Sequence, residues 1–212
     1  MPLPETGWKK AWQSNGFRFQ FITVIAVIVV LGVTFPNFFD FLESRNGPVL
    51  PDPILDLFPQ RDVSWLIFFI LYSGAAIGLY MNLKKPFYFL LTLQIYSLVM
   101  LMRVVTLTSL PLNPPLGYIP LREPVVQMFF TTDGRIISKD LFFSGHMSTL
   151  LSLVFSVGQN IVRWVLVIFS IILAILLLVQ HVHYTVDILA APLGAWLGWY
   201  LSKRMILAIN PK

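Results

Sequence analysis

Apolar positions along this chain gather into six long runs, at residues 19–35, 64–81, 86–102, 141–157, 164–180 and 184–201. Each holds 17 or 18 residues, a little under the roughly 20 that cross about 30 Å of hydrocarbon. The pattern predicts an all-α integral membrane protein. Its expected architecture is a bundle of six transmembrane helices in one domain over residues 19–205, with short terminal segments at 1–18 and 206–212.

Two connections between the runs are long. The first, 36–63, carries Asp40, Glu43, Asp52, Asp56 and Asp62 among several prolines, and is expected to be irregular, to lie at the interface and to be a candidate lid. The second, 104–140, holds Pro111, Pro114, Pro115, Pro120 and Pro124, a density that excludes one continuous helix. Hydrocarbon cannot satisfy irregular backbone, so this segment is expected to cap the outer ends of the bundle.

Composition strengthens the membrane reading. Of 212 residues, 57% are hydrophobic and 12% charged, and the mean hydropathy is +0.76, so lipid is the main solvent. An even number of spans puts both termini on one side. Cytoplasmic termini place Lys9, Lys10, Arg18, Lys84, Lys85, Arg163, Lys203, Arg204 and Lys212 inside, against Arg45, Arg61, Arg103, Arg122, Arg135 and Lys139 outside. That bias agrees with the preference of lysine and arginine for cytoplasmic loops. The net charge of +5 is then a cytoplasmic collar, not a nucleic-acid footprint. Trp65, Trp164 and Trp199 fall near helix ends, as interfacial anchors do.

Run 19–35 follows basic residues like a signal peptide, but it is long for one and ends in Thr-Phe-Pro, so a retained helix is expected. With no cysteine there is no disulfide and no thiolate nucleophile or ligand.

Candidate chemistry sits in the second half. His146 lies five residues into the fourth run, His183 and Asp187 at the start of the sixth, and Arg103 at the end of the third. In the six-helix arrangement all four reach one level near the outer face. An ionisable side chain in a span is a functional candidate. His183 and Asp187, four residues apart, share a helical face, so the carboxylate can hold one imidazole nitrogen and leave the other as nucleophile or base. His146, on another helix, can protonate a leaving oxygen. Each residue also has a plainer reading. His146 can be a packing histidine beside Ser144 and Ser148, the His183–Asp187 pair a polar helix end, and Arg103 a snorkelling arginine. His181, His183 and Asp187 include the residue types of a metal site, but on a helix i and i+2 diverge; no metal and no organic cofactor is expected.

The blocks Asp140-Leu-Phe-Phe-Ser144-Gly145-His146 and His183-Tyr184-Thr-Val-Asp187 resemble the sphingomyelin synthase branch of the type-2 phosphatidic acid phosphatase superfamily. The stretch from Arg103 to Pro111 resembles that branch's arginine-to-proline segment. The resemblance implies a six-helix membrane bundle whose site faces the periplasmic, extracellular or luminal side. It implies His183 as the nucleophile that becomes a phosphohistidine, Asp187 as its orienting partner, and His146 as acid and then base. It also implies substrate contacts from Arg103, Asp140, Ser144, Gly145, Tyr184 and His181. This chain departs from the hydrolytic members in having Phe143 before Ser-Gly-His and no Ser-Arg ahead of His183. Fewer arginine clamps suit a singly charged phosphodiester better than a monoester. Where the branch usually has arginine and glycine, this chain has His181 and Val182.

The expected activity is transfer of a phospho-headgroup from a glycerophospholipid donor to a lipid alcohol, ceramide or diacylglycerol. Two alternatives stand beside it: hydrolysis at the same site, as a lipid phosphate phosphatase or phospholipase C-like enzyme, and non-catalytic lipid binding or translocation. A dead relative would be expected to have lost His146, His183 or Asp187, and all three are present.

Overall fold

The computed structural model describes residues 3–121, 137–158 and 160–209. Among them are seven α-helices and one 3-10 turn. The helices are α1 (Trp8–Ala11), α2 (Asn15–Ser44), α3 (Ser64–Leu83), α4 (Pro86–Ser109), α5 (Gly145–Ser156), α6 (Asn160–Val179) and α7 (Thr185–Ala208); the turn is Leu55–Leu57. No strand occurs among the described residues. Four helices, α2, α3, α4 and α6, are long and apolar enough to cross a membrane. α5 has 12 residues and rises roughly 18 Å. α7 has 24 residues, but Pro192, Ser202, Lys203 and Arg204 temper its apolar character.

The short α5 is the hub, packed against α3, α4, α6 and α7, while α7 also packs along α4 and α2 lies against α4. Close approach to α5 depends on Gly74 and Gly78, one turn apart on α3. A Cβ at these positions would come within 2.6 Å of Leu150 and 2.8 Å of Leu153. In lipid, where apolar burial gives helices no drive to associate, such small-residue contact supplies the packing.

The helices differ from the apolar runs at four places that shape the site. α2 continues through Pro36 to Ser44, so the first connection is 45–63 and not 36–63. Proline removes one helical hydrogen bond, but tertiary contacts hold the last turns. Phe39 and Leu42 pack on Leu107, and the Glu43 carboxylate accepts from Ser138 N–H (2.6 Å), Ser138 Oγ (2.8 Å) and Lys139 N–H (2.7 Å). α4 runs to Ser109 because no proline follows Pro86, at its first position, until Pro111, which places Arg103 inside the helix and not at its end. α5 starts at Gly145, since 140–144 lies non-helical beside Arg103. α7 starts at Thr185, leaving His183 outside it. Of the second connection, Arg122, Pro124 and Arg135 lie outside the described residues, as does Lys212.

The described parts of both connections knit together over one end of the bundle. Gln180, fully buried, accepts from Val63 N–H (2.5 Å) and donates to Ser64 Oγ (3.0 Å) and the Ile119 carbonyl (3.4 Å). Asn113 N–H donates to the Pro48 carbonyl at 3.1 Å. At the other end the first residues fold against the bundle: Trp8 Nε1 donates to the Leu83 carbonyl at 2.7 Å, and Lys85 pairs with Glu5 at 3.0 Å.

Candidate active site

The approach to the site begins where α6 stops. Val182 N–H donates to the Leu177 carbonyl (3.3 Å) and His181 N–H to that of Leu178 (3.0 Å), with His181 at φ 54°. This is the paired hydrogen-bond pattern that closes a helix on a left-handed residue, a position that usually holds glycine. The reversal delivers His183 just ahead of α7. His181 itself is buried, its Nδ1 turned to the Val179 carbonyl at 3.4 Å.

His183 Nδ1 lies 3.4 Å from Asp187 Oδ2, and both side chains are essentially buried, 2% and 0% exposed. The two do not share a helical face, as their spacing suggests. Tyr184 is the N-cap of α7 and Asp187 is its third residue, and Asp187 Oδ2 also accepts the Tyr184 N–H at 3.0 Å. The histidine meets the carboxylate from outside the helix, through a capping arrangement. Asp187 Oδ1 is buried with no hydrogen-bond partner among the described residues.

α5 begins beside it. Ser144 caps α5 through its side chain, and its N–H donates to the Asp187 carbonyl at 3.1 Å, which ties the start of α5 to the first turn of α7. Two residues on, the His146 ring faces that of His183 edge-on, with centroids 5.8 Å apart at 70°.

Arg103 forms the third side. Its guanidinium is 4% exposed and paired with Asp140, which is 22% exposed, and Nε donates to the Phe143 carbonyl at 2.8 Å. The guanidinium lies on the backbone of Gly145, where a Cβ would come within 2.6 Å of Nη1. Glu43 grips residues 138–139, immediately before Asp140, so the end of α2 braces this ion pair.

A cavity of about 120 Å³ opens beside these groups, lined by Arg103, Asp140, Gly145 and His146 together with Phe35, Phe39, Leu71, Tyr96, Met100 and Thr149. Its apolar lining comes mainly from α2, α3 and α4. The fold brings Arg103, Asp140, Gly145 and His146 to this cleft, while His183, edge-on to His146, and Asp187 do not line it. It puts Ser144 at the helix cap, His181 in the turn, and Tyr184 in the cap over the bundle. The Tyr184 hydroxyl donates to the Asn113 carbonyl (2.8 Å) and accepts from Leu50 N–H (3.1 Å).

Asp52 is the residue that pattern reading missed. Its carboxylate accepts from Thr185 N–H (2.6 Å), Thr185 Oγ1 (2.9 Å) and Leu55 N–H (3.0 Å), so the first connection is pinned to the start of α7, two residues from His183. Burial works to raise its pKa, but hydrogen bonds from Thr185, Leu55 and Ile54 outweigh that and hold it below the ordinary carboxylate value. The signal in the chain is slight: a carboxylate between two prolines, Pro51-Asp52-Pro53.

Residues 139–210 match the family model described as PAP2 superfamily C-terminal. That segment is similar to the PAP2 superfamily. The matched segment contains His146, His181, His183 and Asp187. No curated protein matches the chain.

Proposed function

We propose that this membrane enzyme is a lipid phosphotransferase that moves a phospho-headgroup from a glycerophospholipid to a lipid alcohol, ceramide or diacylglycerol, in the manner of the sphingomyelin synthases. The observation that carries the reading is the face-to-edge pair of histidines, one backed by a buried carboxylate, beside a cleft with a largely apolar lining. Such a lining suits a substrate with lipid chains.

In this reading Asp187 holds His183 through Nδ1, which directs Nε2 at phosphorus. Nε2 forms an N–P bond as the P–O bond to diacylglycerol breaks, and His146 supplies the proton to the departing oxygen. His146 then takes the proton from the acceptor hydroxyl, whose oxygen attacks phosphorus and releases His183. Arg103, steadied by Asp140, offers positive charge to the phosphoryl oxygens, while Gly145 keeps the guanidinium close to the backbone. Ser144, Tyr184, His181 and Asp52 position the two helix starts.

The accompanying topology is six crossings, with α5 and α7 completing the four longer apolar helices, both termini cytoplasmic, and the histidines at the opposite face. The collection of Lys9, Lys10, Lys84, Lys85, Arg163, Lys203 and Arg204 in the segments at the other helix ends supports it.

The test is to incubate the purified protein in bilayers with phospholipid donors and either fluorescent ceramide or fluorescent diacylglycerol, resolving products by chromatography and mass. A new phospholipid that disappears with His183→Ala establishes transfer and names the headgroup. Release of headgroup phosphate without a new lipid would replace transfer by hydrolysis. No product from any donor would favour lipid binding or translocation.

A further inference from the structure

A second cavity, about 430 Å³, lies at the opposite end of the bundle from the histidines, walled by Tyr88 and Leu91 of α4, Val154 of α5, Arg163 of α6, and Trp199 and Lys203 of α7. Tyr88 is fifteen residues before Arg103 on α4, a separation of roughly 22 Å. No acidic side chain lines the cavity. Its two cations rest on neutral partners. Lys203 Nζ sits 4.8 Å above the Trp199 ring, and Arg163 Nη2 donates to the Val157 carbonyl at the end of α5, at 2.7 Å. Neither has a carboxylate partner among the described residues, unlike Lys85 with Glu5 or Arg103 with Asp140. Two positive charges that share one cavity and lack a counter-charge call for an anion.

The rest of the wall says which kind. Leu91 and Val154 are buried apolar residues of the bundle, and tryptophan, as at Trp199, is a residue type that favours the membrane interface. Basic pockets between helices at that level suit anionic lipid headgroups. We propose that this cavity binds the phosphate of an anionic glycerophospholipid, with Lys203 and Arg163 on the phosphate oxygens and the glycerol end against Leu91 and Val154. The lipid comes from the leaflet opposite the histidine cleft. The inference needs the membrane setting but not the phosphotransfer reading.

The test uses the full chain in phosphatidylcholine nanodiscs containing increasing phosphatidylglycerol, with retained lipid counted by native mass spectrometry. The wild type is expected to retain phosphatidylglycerol over phosphatidylcholine. Lys203→Gln should weaken retention about fivefold, and Lys203→Gln with Arg163→Gln roughly 30-fold, the factors for one and two cations near a charged lipid. A Lys10→Gln, Lys84→Gln variant loses the same charge in segments at that end without touching the cavity and should retain the lipid. Equal retention of both lipids by the wild type, or equal loss in the two double variants, would overturn the site. Displacement of the lipid by millimolar inorganic phosphate would assign the cavity to a soluble anion instead. If the double variant does not fold, the Lys203→Gln single variant decides alone.

Discussion

Asp187 Oδ2 stands 3.4 Å from His183 Nδ1 and 3.0 Å from the Tyr184 N–H, so one carboxylate oxygen both caps α7 and orients the histidine before it. The helix start and the imidazole are thereby built as one unit. Asp187→Asn keeps an acceptor for the cap and removes the charge that stabilises the imidazole. Turnover is expected to fall by about 10²–10⁴ with little change in melting temperature. A steady-state assay beside a thermal melt checks this; a wild-type rate in Asp187→Asn would remove the orienting role.

Asp52 fixes the first connection to Thr185 N–H. Both Asp52 oxygens accept and asparagine keeps only one, and losing a capping acceptor costs about 1 kcal/mol, so Asp52→Asn should lower the melting temperature and, by loosening the start of α7, turnover as well. The pH dependence has a definite sign. The folded pKa lies below the ordinary value, so this stabilisation is present above about pH 4 and fades as the pH falls through the folded pKa. Thermal melts of wild type and Asp52→Asn at falling pH should converge; a constant gap would refute the linkage.

His181 occupies a left-handed position, φ 54°, where asparagine is tolerated and a β-branched residue is not. His181→Val should therefore be less stable than His181→Asn by about 1–2 kcal/mol. Both replacements are uncharged, so full activity in His181→Asn would mark this residue as a helix terminator, while equal loss of activity in both, with Asn well folded, would point to substrate contact.

Gly145 lets the Arg103 guanidinium lie against the backbone. An arginine head normally moves aside cheaply, but here Asp140 and the Phe143 carbonyl hold it. Gly145→Ala is expected to cost about 1–3 kcal/mol through overpacking and to raise KM more than it lowers kcat. An unchanged KM would argue against phosphate anchoring by Arg103.

Much of this arrangement was legible in the chain because lipid makes apolar runs so conspicuous, and because His146, His183 and Asp187 carry chemistry that apolar helices do not need. Geometry at the helix ends was not legible. The i, i+4 spacing of His183 and Asp187 suggests a shared helical face, yet the two residues meet across a cap, a choice made by the turn at His181. Pro36 looks like a helix end, but Phe39, Leu42 and Glu43 find partners on α4 and residues 138–139 that outweigh one lost hydrogen bond. Arg103 looks terminal for the same reason: hydropathy weakens at Arg103 before the helix does. Asp52 reaches Thr185 across 133 positions of chain, and no local pattern announces a contact of that kind.

The most direct test of the account is to trap the intermediate. Protein mixed with a headgroup-labelled phospholipid donor and no acceptor alcohol is quenched in base within the first turnover and mapped by mass spectrometry. The account predicts an acid-labile, base-stable phosphoryl headgroup on His183, absent in His183→Ala and discharged when ceramide or diacylglycerol is added. Turnover with no adduct on His183, or an adduct on His146, would contradict it.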